Sequence, residues 1–382
     1  MRASTPGGLR NHHERLILSA VRRGGPLSRA ALAQATGLSA QSVGTITRAL
    51  IDAGYLDPGE PMRGQVGQPR TPLALAAGGA LFLGLKVGRR RAEAVLMDFA
   101  GGVRARCLRD HDHPDPDAVM AFARDSAARM LDPLPAPLRE RLAGLGVGIP
   151  FSLWDWGPDM QGWRDRDLRG DLAAALDMPV WLENDATCAC AAELLFGTGA
   201  PLPRDFLYLY VAHFAGGGIV LDGQLRTGPT GNAAAIGSLP VRGGGVQAGG
   251  QVLDHAAVAA LERRMGAVLP ADDGAWAIPD AVAADWIADA ADALAQAALA
   301  GVAVADLGLV VIDGAMPAAL RDRLAAATAQ ALDRLPSAGI AVPRVACGTV
   351  GRAARAMGAA ALPLRAQFLP GGTLADARLG AR

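Results

Sequence analysis

The residues best placed to contact a partner lie in the stretch SRAALAQATGLSAQSVGTITRALIDA, at positions 28–53. After Ser39, the side chains expected to face outward are small or polar, with one arginine among them. The candidates for contact are Gln41, Ser42, Thr45 and Arg48. Amide, hydroxyl and guanidinium groups of this kind hydrogen-bond base edges and phosphates in the DNA major groove. The stretch therefore predicts a recognition helix.

Two short helices joined by a tight turn must position this polar face. Gly37 can take the positive φ that the turn needs, and Ser39 can cap the second helix. In that helix, Val43, Ile46 and Leu50 recur at spacings of three and four residues, which predicts a buried stripe opposite the polar face. A helical hairpin that binds no nucleic acid is the alternative interpretation.

The segment after the helix pair predicts a wing. Tyr55–Leu56 and Thr71–Leu75 are short apolar runs, and the Gly/Pro-rich loop between them holds Arg63 and Arg70 as further candidates for DNA contact. Residues 1–75 contain nine arginines and four acidic residues, so their net charge is 9 − 4 = +5 in a chain whose formal net charge is zero. A basic N-terminal part on an acidic remainder is typical of a DNA-binding head on a domain with another task.

Length and composition indicate a soluble protein with more than one domain. A chain of 382 residues is longer than one ordinary core, and 51% of its residues are hydrophobic. There is no run of eighteen apolar residues and no signal-peptide pattern, and four cysteines are too few for a disulfide framework. We therefore expect a cytoplasmic protein with a winged helix-turn-helix domain at 1–75 and an α/β domain at 80–382.

Strands and helices alternate in the second domain, which predicts an α/β body of two lobes that begins with an antiparallel meander. The predicted strands lie at 81–87, 92–98, 102–108, 144–149, 180–184, 206–211, 218–221, 309–312 and 344–347. The predicted helices that matter here lie at 117–130, 168–176, 188–195 and 352–364.

Two stretches of the body, WRDRDLRGDLAAALDMPVWLENDATCACAAELLFGTG and FLYLYVAHFAGGGIVLDGQLRTGPTGNAAAIGSLPV, resemble the ROK family of repressors, open reading frames and sugar kinases. With the winged head before them, they resemble its repressor branch. The resemblance implies an actin-like sugar-kinase fold in two lobes. It also implies a repressor that binds a double-stranded DNA operator as a homodimer or tetramer and senses a sugar or sugar derivative.

The resemblance also implies where the sugar binds. Asn184 and Asp185 match the family's Asn-Asp pair at a strand end, and Asn232 matches the asparagine of its Gly-Asn-Ala motif. In the kinases of the family this aspartate is the general base, whereas a repressor needs it only for binding. The glutamate and histidine that follow in the family are Ala235 and Ser238 here, which implies altered sugar recognition.

The phosphate and metal motifs of the family are altered as well. Its Asp-x-Gly-Gly-Thr loop is matched by residues 86–90, where Lys86 replaces a magnesium-anchoring aspartate, and its second phosphate loop by residues 212–214, where His213 and Phe214 add bulk. The turn at 86–91 is then either a solvated charged turn or an anion site for an effector. The zinc cysteine cluster is missing, and Cys188 and Cys190 lie two apart on a helix, where they cannot chelate one ion together.

We therefore expect no enzymatic activity, no cofactor and no metal. The alternatives are an active sugar kinase with an appended head, and a body used only for dimerisation. Two further features stay open at this point. The tryptophans of the segment FSLWDWGPDMQGW suit either sugar stacking or lid packing. His255 suits a surface or capping position better than a metal site.

Overall fold

The computed structural model describes residues 12–61, 71–151, 153–242 and 249–371. Its contacts divide the chain into two compact units. Unit 1 consists of Met1–Glu183 with Ala359–Gly380, and unit 2 of Asn184–Gly358. The N-terminal head and the first α/β lobe thus belong to one unit, whereas the division at residues 75 and 80 stays a prediction.

The head contains three helices and two strands, and the predicted helix pair and wing strands are among them. They are α1 (His12–Gly24), α2 (Arg29–Thr36), α3 (Ala40–Asp52), β1 (Leu56–Pro58) and β2 (Leu73–Leu75). The two strands pair antiparallel, and Leu27 forms a bridge with Leu73, so that the segment before α2 extends the sheet. Arg63 and Arg70 lie outside the described residues, so their predicted contacts stay predictions.

The turn between α2 and α3 follows the local chemistry of its residues. Gly37 ends α2 at φ 70°, where its N–H donates to the carbonyl of Ala33. Ser39 caps α3, and its hydroxyl accepts the backbone N–H of Ser42 at 3.1 Å. Both predicted roles, the positive-φ turn and the helix cap, are therefore confirmed.

The buried stripe of α3 differs from the prediction at one position. Val43 and Leu50 are buried as expected, but the third buried residue is Thr47, and Ile46 is only partly buried. The hydroxyl of Thr47 donates to the carbonyl of Val43 at 2.7 Å and accepts the Nε–H of Arg29 at 3.0 Å. Because its polar group is satisfied, threonine can take this interior position at little cost.

The first lobe, in unit 1, is built on a mixed five-stranded sheet. Its elements are β3 (Leu81–Val87), β4 (Arg91–Asp98), β5 (Val103–Asp110), α4 (Pro116–Leu131), α5 (Ala136–Arg139), β6 (Leu142–Gly148), α6 (Leu168–Leu176) and β7 (Val180–Glu183). The strand order is β5-β4-β3-β6-β7, with β3 to β5 antiparallel and β6 and β7 parallel to β3. The predicted meander is confirmed, and α4 and α6 cover one face of the sheet.

Unit 2 holds a second five-stranded sheet, in the order β10-β9-β8-β13-β14. Its elements are α7 (Asp185–Phe196), β8 (Phe206–Val211), β9 (Ala215–Leu221), β10 (Gln224–Arg226), β11 (Pro240–Val241), β12 (Gly250–Gln251), α8 (Val252–Ala256), α9 (Val258–Met265), α10 (Asp280–Ala305), β13 (Leu309–Gly314), α11 (Ala318–Arg334) and β14 (Arg344–Cys347). Strands β8, β13 and β14 are parallel, whereas β9 and β10 are antiparallel additions.

Helix α10 is long and apolar enough to cross a membrane by length and composition alone. It packs instead against α8, α9, α11 and β8 in the core of unit 2. Half of its most apolar window is buried in this way. Its alanine-rich sequence is accounted for by close packing between helices.

The last helix, α12 (Ala354–Phe368), contains the boundary between the units, which falls after Gly358. In unit 1, a Cβ added to Gly146 of β6 would lie 1.8 Å from the carbonyl oxygen of Ala359. That oxygen has no helical N–H partner four residues on, because residue 363 is proline. In unit 2, a Cβ on Gly358 would lie 1.7 Å from the carbonyl oxygen of Cys188. Both glycines are thus required by close backbone approach.

The crossing of α12 over β6 gives a stability prediction. Gly146→Ala should lower the free energy of unfolding by about 1 to 3 kcal/mol or more, because the neighbouring atom is backbone and cannot rotate away. Gly308→Ala is the matched control, since a Cβ there meets nothing within 4 Å. Urea denaturation of both variants checks this, and equal midpoints for the two would contradict the described packing.

Candidate nucleic-acid interface and effector site

Three of the predicted DNA-contacting residues share an exposed face of α3. Gln41, Thr45 and Arg48 are all exposed, and their spacing of four and three residues places them side by side along the helix. Ser42 is different, because it is partly buried and its hydroxyl lies 2.9 Å from that of the cap residue Ser39. Ser42 therefore supports the turn, whatever else it contacts.

Two arginines fasten the head to the first lobe within unit 1. Arg22 of α1 donates to the carbonyl oxygen of Phe99, and burial lowers the pKa of its guanidinium to about 10. Arg141, which precedes β6, donates to the carbonyl oxygen of Ala53 at 2.8 Å and lies 5.7 Å from the ring centroid of Tyr55. Arg22 is one of the nine arginines that make the head basic, and its guanidinium thus contributes to the contact between the head and the first lobe.

Four aromatic rings fill the space between these arginines. Tyr55 lies 5.6 Å from both Phe99 and Phe368, measured between ring centroids, and Phe99 lies 5.0 Å from Phe368. Phe82 of β3 completes the group, 5.8 Å from Phe368. All four rings are buried, with edge-to-face or tilted geometries that favour aromatic pairs. We call these four residues the joint cluster.

The predicted sugar-binding residue Asn184 has a structural task in unit 2. Its side-chain oxygen accepts the backbone N–H of Ala186 at 2.9 Å and of Thr187 at 3.3 Å, so that it caps α7. The helix begins three residues before its predicted start at Cys188, and its cap is therefore Asn184. Contact between Asn184 and a sugar stays a prediction.

Asp185, the second predicted sugar-binding residue, forms an ion pair that the sequence did not indicate. Its Oδ2 lies 3.0 Å from an Nη atom of Arg355 on α12, and the two side chains are only 13% and 14% exposed. The guanidinium also lies 5.4 Å from the ring centroid of Tyr210. In the sequence, Arg355 is one arginine in an alanine-rich helix, with no spacing that singles it out.

Asn232 lies exposed on the loop after β10, and the hydrogen bonds and ion pairs of the described residues join Asp185 to Arg355 and not to Asn232. Both the loop and the start of α7 pack on the glycine run of β9. A Cβ on Gly217 would lie 3.0 Å from the carbonyl oxygen of Ala234, and one on Gly216 would lie 2.7 Å from the Cβ of Ala186. Close packing alone thus accounts for Gly216 and Gly217.

The turn that matches the family's first phosphate loop is closed by its own side chains. Lys86 is 6% exposed and donates through Nζ to the carbonyl oxygen of Arg91 at 2.9 Å. A Cβ on Gly88 would lie 2.5 Å from that Nζ, and the ring of His111 bonds the carbonyl of Gly88 at 2.8 Å through Nε2. The prediction of a solvated turn is therefore wrong for Lys86, whose amine bridges the hairpin.

Unit 2 contains a polar network at the end of β13 that the sequence did not predict. The carboxylate of Asp313 is fully buried, where it accepts the hydroxyl of Tyr208 and the N–H of Gly351, both at 2.9 Å. Burial raises the pKa of Asp313, and these hydrogen bonds oppose the rise. Glu193 of α7 likewise accepts the N–H groups of Thr349 and Val350. These bonds fix the segment that leads into α12.

Among the residues that the structure describes, no group of three or more His, Cys, Asp or Glu side chains could hold a metal ion. Cys188 and Cys190 are both buried in α7, and the Cβ that Gly218 lacks would lie 2.4 Å from the Cβ of Cys190. His255 is 6% exposed, so the surface position, one of the two that were predicted, is wrong. It lies in the last turn of the short helix α8, where its Nε2 would be 3.4 Å from a Cβ added to Gly250.

The tryptophans after β6 take part in packing. Trp163 is fully buried and donates through Nε1 to the carbonyl oxygen of Pro114 at 2.6 Å. Arg164 lies over the ring of Trp154, at 5.8 Å from its centroid. For these two residues the packing alternative is favoured over sugar stacking. The side chain of Trp156 lies outside the described residues.

An open groove of about 630 Å³ lies between α10 and α11 in unit 2. Its polar edge consists of Arg242, Asp292, Gln296 and Arg334. The ion pair of Arg334 with Asp292, at 2.9 Å, closes part of this edge. None of the predicted sugar-binding residues lines the groove.

Comparison with known proteins gives two family matches along the chain. The ROK family matches residues 82–366, and a winged helix-turn-helix DNA-binding family matches residues 10–57. The uncharacterized protein y4fQ of Sinorhizobium fredii is 26% identical over 94% of this chain and 92% of its own length. The xylose repressor of Bacillus subtilis is 24% identical, and the match covers 60% of each protein.

The fold is also found in a crystal structure of a ROK family transcriptional regulator, described as a homolog of the E. coli MLC protein. That structure superimposes with a TM-score of 0.66 at 21% sequence identity, and the match covers 93% of this chain and 97% of the other. Since the ROK match spans most of the sequence behind a winged helix-turn-helix, the chain belongs to the ROK family.

Proposed function

We propose that the protein is a cytoplasmic transcriptional regulator, a repressor of carbohydrate genes whose ROK body binds a sugar without phosphorylating it. The observation that carries the proposal is the exposed polar face of α3 on a winged helix-turn-helix, joined to a ROK body. Regulators named among its relatives, such as the xylose repressor of Bacillus subtilis, support the same assignment.

The head supplies the DNA contacts in this proposal. Gln41 and Thr45 meet base edges in the major groove, where each good contact is worth about 1 to 3 kcal/mol of discrimination. Arg48, together with Arg63 and Arg70 of the wing, meets phosphates, which adds affinity but no sequence preference. Residues 1–75 act as the DNA-binding domain and residues 80–382 as the sensing domain.

The body supplies sensing, and a homodimer supplies the second head. A dimer places two recognition helices on half-sites about one helical turn apart, so the operator has two-fold symmetry. The sugar binds at Asp185, with Asn184 and Asn232 as further contacts, because carboxylate and amide groups can each hold two hydroxyls. D-Xylose is the first effector to test, given the named relative.

We propose no catalysis because the side chains of both phosphate loops make other contacts. The amine of Lys86 bridges its own hairpin where the resemblance requires a metal-binding carboxylate. In the second loop, the rings of His213 and Phe214 pack edge to face, with their centroids 4.7 Å apart. An active sugar kinase with an appended head remains the second candidate, favoured only by the family as a whole.

The DNA-binding part of the proposal predicts an effect of Arg48→Ala. Loss of one phosphate contact should weaken binding to a mixed-sequence duplex of about 30 base pairs and reduce the slope of log affinity against log salt by about 1. Fluorescence anisotropy of the full chain at several salt concentrations measures both. Arg323→Ala, an exposed arginine of α11, is the control and should leave the slope unchanged. Equal slopes for the two variants would count against the assigned face.

The sensing part predicts that a sugar stabilises the folded chain through Asp185. D-Xylose at a hundred times its dissociation constant should add about 2.7 kcal/mol of stability, which a thermal-shift assay detects as a higher melting temperature. Asp185→Asn should remove the shift, whereas Asp285→Asn, an exposed position on α10, should keep it. A shift that survives in Asp185→Asn would place the sugar elsewhere, and no shift with any sugar of a wider panel would refute sensing.

The absence of catalysis predicts no transfer of phosphate from Mg-ATP to pentoses or hexoses. Radiolabelled ATP, a sugar panel and the full chain provide the assay. The parent should give no more sugar phosphate than Asp185→Asn, because Lys86 stands where the resemblance requires the magnesium-anchoring aspartate. Turnover by the parent that Asp185→Asn lacks would establish the kinase alternative.

A further inference from the structure

One helix carries both the partner of Asp185 and a ring that packs on the head. Arg355 lies near the first turn of α12, and Phe368 is its last residue. They lie thirteen positions apart, which is about 20 Å along a helix. The contacts of the two ends, taken within their own units, suggest what the helix does.

In unit 2, the Arg355 end holds the carboxylate that the proposed function assigns to the sugar. The 3.0 Å ion pair is largely shielded from water, so the guanidinium occupies acceptor positions on Asp185 that sugar hydroxyls would use. A sugar that bonds to this carboxylate must therefore compete with Arg355. Loss of the pair would release the guanidinium from Asp185 while its contact with the ring of Tyr210 remains, so the start of α12 would lose one of its attachments to α7.

In unit 1, the Phe368 end belongs to the joint cluster. Its ring touches Tyr55, which follows α3 directly, and Phe99, whose carbonyl accepts the side chain of Arg22 on α1. The neighbouring backbone bonds run from the N–H of Ala76 to Tyr55 and from the N–H of Phe99 to Ala77. The position of Phe368 therefore affects the contacts of α1 and of the residue that follows α3.

Between its ends, α12 is held by close backbone contacts. The carbonyl of Ala359 fits over Gly146 of β6, and Gly358 fits against Cys188 of α7. Tightly packed helices of this kind have a few discrete positions and do not bend continuously. A movement of Arg355 would therefore also displace these contacts, although Pro363, between Ala359 and Phe368, removes one hydrogen bond of the helix.

We propose that Arg355 is the group that effector hydroxyls displace from Asp185, and that α12 carries this displacement to the DNA-binding head through Phe368. This inference rests on the proposed function, since it takes Asp185 as the sensing residue. The competing explanation is that the ion pair only fastens α12 to α7. That explanation confines the effect of breaking the pair to its neighbours in unit 2.

Hydrogen exchange of the full chain tests the inference with no sugar and no DNA. Arg355→Gln removes the charge and should imitate the displaced state. The amides of Ala76 and Phe99, which bond at the joint, should then exchange about threefold faster, while amides in the core of α10 keep their rates. Arg323→Gln is the control, because its partner Asp280 is exposed and 3.9 Å away. It should leave the joint amides unchanged.

A second variant separates transmission from general destabilisation. In the Phe368→Leu background, Arg355→Gln should no longer accelerate exchange at Ala76 and Phe99, because the contact that passes the change is lost. The inference is overturned if Arg355→Gln leaves the joint amides unchanged, if α10 accelerates equally, or if the acceleration persists in the Phe368→Leu background. None of these three results tests DNA binding or sugar binding. The anisotropy and thermal-shift assays test those two activities separately.

Discussion

The burial of four aromatic rings is the constraint on which the position of the head depends. Tyr55 comes from the end of the head, Phe82 and Phe99 from the first lobe, and Phe368 from the end of α12. All four rings are buried, so each removes a large apolar surface from water. A winged domain held in this way is not a freely tethered module, because its orientation is fixed by the lobe beneath it.

Residues that match the sugar and phosphate loops of the ROK family also have structural roles in this chain. Lys86 bridges a hairpin, and the glycine run of β9 permits close packing of α7. Asn184 caps α7, and Asp185 is paired with Arg355. Lys86 of the first phosphate loop and both residues of the matched sugar pair thus have partners within the protein. The outer face of α3 is exposed, as the proposed regulator requires.

Much of the fold could be predicted, because periodic burial and turn chemistry are local properties of the sequence. The strands at 81–87, 206–211 and 344–347 and the helix at 168–176 have the predicted bounds, and Gly37 and Ser39 take their predicted roles. The wrong predictions concern positions whose burial or partner depends on residues far away in the sequence. Thr47 replaces Ile46 in the core because Arg29 satisfies it, and neither Arg355 nor Phe368 shows its partner in the sequence. Long-range ion pairs and ring contacts have no periodicity to detect.

Selection of bound duplexes from a random-sequence pool shows whether the winged head on this ROK body reads DNA sequence. With the full chain at physiological salt, we expect convergence on one sequence with two-fold symmetry and half-sites about one helical turn apart. A pool that stays random after repeated rounds, with binding that vanishes as salt rises, would mean that the head binds phosphates only. That result would contradict a role in sequence-specific regulation.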